Sequence, residues 1–226
     1  MKKILVIAAH PDDEIYGMGG TISRLSQEGK EVHLLIVTDG STAQYRNFED
    51  IEKILLKKRE ETQNAARIVG IKKVHYGNLP DMRLDATEHI EVNHVIEKII
   101  DEVKPDTVFT HFWGDVNLDH RCVYNSTIVA ARPTPNSFVK ELYCYSVPSS
   151  TEWQPVLKDY FVPNFLVDIS KHSENKLAAI RAYETELRDF PHPRSVEAVE
   201  IQDKSVGLKC GLTCAEEFIL IRKIEQ

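Results

Sequence analysis

The stretch AAHPDDEIYGMGG, residues 8–20, places His10 and three consecutive acids, Asp12, Asp13 and Glu14, directly after an apolar run. Three carboxylates so close together repel one another and resist desolvation unless a cation or several hydrogen-bond donors compensate them. Two readings fit this segment. One is a solvated loop in which an acid caps the following helix. The other is a divalent metal centre. A catalytic zinc commonly takes three protein nitrogen or oxygen ligands and keeps a fourth position open. A His-x-x-Asp pair therefore needs one more ligand from elsewhere. DVNLDH, residues 115–120, offers His120, and His111 competes for the place, although it reads more easily as a strand-end residue packed under the site.

These residues need elements that bring them together. KILVIAA (3–9) is a continuous aliphatic run of the kind found in strands covered on both faces, and TISRLSQEGK (21–30) has helical spacing that closes on glycine. EVHLLIVTDG is a second strand. NFEDIEKILLKKREETQNAARIVGI carries apolar residues three and four apart from Ile51 to Val69 and closes on Gly70, and KKVHYGN supplies a third strand. A helix in HIEVNHVIEKIIDEV stops near Pro105, TVFTHF (107–112) is a fourth strand, and DHRCVYNSTIVAARP is another helix. After Pro133, ELYCYSV, FLVDIS and the terminal AEEFILIRKI read as strands, and SENKLAAIRAYETEL as a helix.

Such alternation predicts an α/β fold of Rossmann-like type, with a mostly parallel twisted sheet, helices on both faces, and a ligand crevice at the carboxyl ends of the strands. Both histidine-bearing segments, after strands one and four, open into that crevice. The absence of repeats and linkers implies one domain over residues 1–226.

Composition narrows the function. The formal net charge of −7 disfavours binding to a phosphate backbone, so no nucleic-acid partner is expected. No apolar run approaches the roughly 20 residues of a membrane-spanning helix, and the start lacks the cleavage region of a signal peptide, which predicts a cytoplasmic protein. Cys122, Cys144, Cys210 and Cys214 show no CxxC spacing and read as small apolar residues.

A strand followed by AHPDDE, with a later Asp-His opening a helix, resembles the zinc-dependent N-acetylglucosaminyl deacetylase family known as PIG-L or LmbE-like. YGNLPDMRL, KPDTVFTH, PHPRS and AEEFILIRK extend the likeness through most of the chain. The resemblance implies hydrolysis of the acetamide of an N-acetylglucosamine-type sugar, releasing acetate and an amine. It makes His10, Asp13 and His120 the zinc ligands and Asp12 the general base. Many relatives carry a histidine three residues before the last ligand; here that position is Asn117, which can donate a hydrogen bond but no proton at pH 7. Arg59 and Asp81 match positions that contact sugar hydroxyls, and Arg132 and Arg194 are candidates to meet a phosphate or nucleotide on the sugar. The expected partner is thus a small N-acetylated amino-sugar substrate, with the choice between monomer and homo-oligomer open. Two other functions remain: an amidase acting on a thiol conjugate or other small metabolite, and a sugar-phosphate or nucleotide binding module that cradles phosphate at GMGG.

Overall fold

The computed structural model describes residues 1–41, 51–155 and 159–225; the expected helix start at NFED, residues 47–50, lies outside them. Its elements run β1 (Lys3–Ala8), α1 (Asp13–Gln27), β2 (Glu31–Thr38), α2 (Ile51–Val69), β3 (Lys73–Leu79), α3 (His89–Val103), β4 (Thr107–His111), α4 (Leu118–Ala130), β5 (Glu141–Tyr145), β6 (Phe165–Asp168), α5 (Ser173–Ala182), α6 (Val196–Lys209) and β7 (Ala215–Lys223). They form one seven-stranded sheet in the order β3-β2-β1-β4-β5-β7-β6. The strands from β3 to β5 pair in parallel, β7 runs antiparallel to β5, and β6 antiparallel to β7.

The expected alternation is present, and its cause is visible in β1. Ile4, Val6 and Ala8 join one apolar layer with Ile15 and Ile22 of α1, while Leu5, Ile7 and Ala9 join the other with Ile96 of α3 and Val123 of α4. Successive strand side chains point to opposite faces, so a strand covered on both sides must be apolar throughout. The chain winds outward from β1 to β3, then returns to place β4 on the other side of β1. This reversal, at the carboxyl ends of β1 and β4, is the place where open α/β sheets bind their ligands.

Three expectations change. Helix α1 begins at Asp13 rather than Thr21, so the acids sit in its first turn and GMGG lies inside it. These glycines serve close packing: a Cβ on Gly17 would come within 2.4 Å of the Tyr145 ring, and one on Gly20 within 2.7 Å of Ile169. GMGG therefore does not form a phosphate cradle at a helix start. SENKLAAIRAYETEL ends its helix at Ala182, with Tyr183 turning out of helical geometry. Helix α6 was not anticipated, because only Ala198, Val199, Asp203 and Gly207 are buried on it and no apolar stripe marks it. Among the described residues no helix is long and apolar enough to cross a membrane.

Candidate active site

His10 leaves the end of β1, Asp13 opens α1, and His120 stands in the first turn of α4. His10 Nδ1 lies 3.2 Å from Asp13 Oδ2 and 3.3 Å from His120 Nε2, and His120 Nε2 lies 3.3 Å from Asp13 Oδ2. Three donor atoms at the corners of a nearly equilateral triangle are the arrangement a tetrahedral metal requires. For zinc bonds of about 2.0–2.1 Å, neighbouring ligands stand about 3.3 Å apart. Asp13 and His120 are buried. Burial pushes the Asp13 carboxyl up, but His120 and His10 outweigh it and hold Asp13 well below the usual range. Burial likewise lowers His10 and His120, and the facing acids, Asp13 foremost, reverse that and raise both. A cation in the triangle would take over this compensation and displace the histidine protons.

A second layer of acids fixes the rings. Asp115 Oδ2 lies 3.2 Å from His120 Nδ1 and also accepts from Thr151 Oγ1 at 2.6 Å, while Asp115 Oδ1 accepts from the Asn117 backbone N–H at 2.8 Å and from Ser150 Oγ. Burial raises the Asp115 carboxyl, but His120, Ser150 and Thr151 bring it down to about 2. His10 Nε2 faces Asp119 Oδ2 at 3.2 Å and Asp81 Oδ1 at 3.3 Å, and Asp119 Oδ1 accepts from the Leu84 N–H. Such outer carboxylates place the ring hydrogen on the far nitrogen and leave the near lone pair for a metal. His111 is not in the triangle. Its ring stacks on His120 with centroids 3.9 Å apart, and its Nε2 accepts from the Ala9 N–H at 2.8 Å.

Asp12 stands beside the triangle. Its φ of 112° is rare for a residue with a side chain, and four hydrogen bonds hold it there. Its carbonyl accepts from the N–H groups of Ile15 and Tyr16, its own N–H donates to Glu14 Oε2, and its Oδ2 accepts from Arg194 Nη1 at 2.8 Å. Burial pushes the Asp12 carboxyl well up while Arg194 pulls it back. Glu14, raised by burial to about 7, accepts from the Tyr183 hydroxyl at 2.6 Å. A carboxylate adjacent to a metal triangle, but outside it, can take and return a proton.

Of the other anticipated residues, Asp81 is buried against His10, and Asn117 caps α4, its Oδ1 accepting from the Asp119 N–H at 2.9 Å. Arg59 turns outward, donating to Asn78 Oδ1 with its guanidinium 5.1 Å from the centre of the Tyr76 ring. Arg132 lies two residues past Ala130, the far end of α4, which is about 15 Å along the axis from His120, and its Nε donates to the Val129 carbonyl. The inward cation of α2 is Lys58, buried and 2.9 Å from Glu186, and subject to the charges of Asp12 and Asp81. The helical period could have found it: Val69, Ala65, Thr62 and Lys58 lie on one buried face.

The family described as PIG-L, GlcNAc-PI de-N-acetylase, matches residues 5–131. A diacetylchitobiose deacetylase of Thermococcus kodakarensis is 31% identical over 194 residues, covering 83% of this chain and 71% of that protein. The structure of an N,N'-diacetylchitobiose deacetylase from Pyrococcus horikoshii, complexed with its inhibitor, superposes with a TM-score of 0.79 at 27% identity, over 98% of this chain and 84% of that one. The 4-carboxy-2-hydroxymuconate hydratase GalB of Pseudomonas putida KT2440 reaches a TM-score of 0.78 at 20% identity, over 100% of this chain and 98% of that one, a likeness of fold alone.

Proposed function

The chain belongs to the GlcNAc-PI de-N-acetylase (PIG-L) family, and from this premise we propose that it is a zinc-dependent hydrolase of the acetamide of an N-acetylglucosamine-type sugar. The observation that carries the reading is the triangle of His10, Asp13 and His120 with Asp12 beside it but outside it. His10, Asp13 and His120 would hold the zinc, which would supply a Lewis acid to polarise the amide carbonyl and acidify water.

The protein's own groups do the rest. Asp12 accepts a proton from the attacking water and returns it to the nitrogen, so that the C–N bond breaks to acetate and amine. Arg194 aims the Asp12 carboxylate, and Glu14 with Tyr183 holds its backbone. Asp115 and Asp119 fix the rings of His120 and His10. Asn117 keeps its Nδ2 only weakly engaged, 3.7 Å from Met82 Sδ, and serves as the hydrogen-bond donor to the developing oxyanion. Asp81 and Lys58 contact the sugar hydroxyls. With Arg194 engaged on Asp12 and Arg132 at the far end of α4, neither is assigned to the substrate.

The test is acetate release from free, phosphorylated, nucleotide-linked and glycosidic N-acetylglucosamine, comparing wild type with Asp12→Asn after zinc analysis of both. Wild type is expected to release acetate from at least one form and lose activity to a chelator. Asp12→Asn should keep its zinc and lose about 10²–10⁴-fold in kcat. Release of no acetate by zinc-loaded protein, or full activity in the variant, overturns the reading; release of another acid from a thiol-conjugate amide would move it to that substrate.

A further inference from the structure

A second cavity, of about 420 Å³, lies between the start of α1, the end of β5, the start of β7 and helix α6. Its volume is in the range of small-molecule sites. None of the triangle residues lines it. Tyr16 links the cavity to the active site: it lines the cavity, its hydroxyl donates to the Arg194 carbonyl at 3.0 Å, and the Arg194 guanidinium, which reaches Asp12, lies 5.4 Å from its ring centre. Val147, Pro148, Phe161 and Val206 provide apolar wall.

One wall is charged and short of a cation. Buried Lys176 places Nζ 2.8 Å from Asp203 Oδ1 and 2.8 Å from Glu216 Oε1. Glu216 is well supplied, because Gly20 and Thr21 also donate their N–H groups to it. Asp203 is not: its Oδ2 is buried and meets no donor among the described residues. One lysine between two carboxylates leaves a negative charge in a buried wall, an expensive state. Burial, with Glu216 beside it, pushes the Asp203 carboxyl up to about 6 despite Lys176. The remaining charged wall groups do not relieve it: Lys209 pairs with Glu217 at 2.9 Å, and Glu152 accepts from the N–H groups of Ser149 and Ser150.

We propose that this cavity is a second ligand site that binds the ammonium group of an amino sugar, with Asp203 as its counter-ion. A primary ammonium supplies both the missing donor and the missing charge, and Tyr16, Tyr160 and Phe161 line the same cavity and give it the aromatic surface that suits a cation and the apolar side of a pyranose. The ammonium follows from Asp203; the sugar rests on the deacetylase reading, in which the product is the only cation formed.

The test is methyl NMR of the full zinc-loaded chain titrated with D-glucosamine, with D-glucose and N-acetyl-D-glucosamine as uncharged controls. Saturable shifts of the Val147 and Val206 methyls are expected with glucosamine, at least about tenfold tighter than with either control. Asp203→Asn should weaken binding about tenfold or more while deacetylation of a substrate at low product concentration is unchanged. If that variant does not fold, Val206→Phe, which fills the cavity and leaves the charges alone, should abolish the same shifts. No saturable shift, equal affinity for glucose, or undiminished binding in the variant that folds overturns the site. The two ideas separate: glucosamine binding without acetate release from any substrate keeps the site and sinks the deacetylase, and acetate release without binding does the reverse.

Discussion

Asp12 carries the most strain in the site and has the most support. A side chain at φ 112° survives only where its surroundings over-determine it, and here Glu14, Arg194 and the first turn of α1 all hold it. Lys58 and Arg59 illustrate how one position along a helix decides chemistry. A step of about 100° separates neighbouring side chains, so Lys58 is buried toward the acids while Arg59 lies over Tyr76 in solvent. Lys58→Gln is therefore expected to lower kcat/KM roughly tenfold or more, and Arg59→Gln to leave it within about threefold. Steady-state kinetics on the best acetamide substrate decide this, and the reverse ranking would return the sugar contact to Arg59.

Helix α1 delivers Asp13 only because its start fits tightly against β5. Gly17 has no room for a methyl, since a Cβ would sit 2.4 Å from the Tyr145 ring and 2.8 Å from the Ser146 carbonyl. Gly17→Ala should cost about 1–3 kcal/mol or more, seen as a lower denaturant midpoint at an unchanged slope. Helix α6 carries a pH dependence through Asp203. Its folded pKa, about 6, lies above the reference 3.8, so the native state binds more protons than the unfolded chain between these values, and stability falls as pH rises through that window. Asp203→Asn has no proton to lose there. The melting temperature of the variant relative to wild type should rise from pH 4 to pH 6.5, and a constant difference would show that Asp203 titrates as an ordinary carboxylate.

At the scale of the whole molecule, the triangle joins two distant parts of the chain, the loop after β1 and the start of α4. A metal that binds only when these are assembled stabilises the fold by mass action, about 2.7 kcal/mol at a hundredfold excess over Kd. For a chain of this length each kcal/mol is worth roughly 2–4 °C in Tm. Zinc should therefore raise the Tm of metal-free protein by several degrees in a thermal scan, a chelator should reverse it, and His120→Ala should abolish most of the response. An equal response in His120→Ala would place the metal elsewhere.

Much of this was legible in the sequence because it is local. The aliphatic run of β1, the helical period of α2 and α3, and the positions of His10 just after β1 and His120 at the start of the helix that follows β4 are read from spacing along short stretches of chain, and adjacent parallel strands bring their ends together. The acids after His10 already required a cation or donors, since three carboxylates cannot be desolvated alone. Tertiary structure alone decided the rest. It turned Asp119 and Asp81 onto His10, placed Arg194 on Asp12 across 182 residues, and added β7 antiparallel to β5, so that Glu216 meets Lys176 and Asp203 behind Tyr16. Those contacts depend on which faces pack together between segments far apart in the chain, and no local period encodes that.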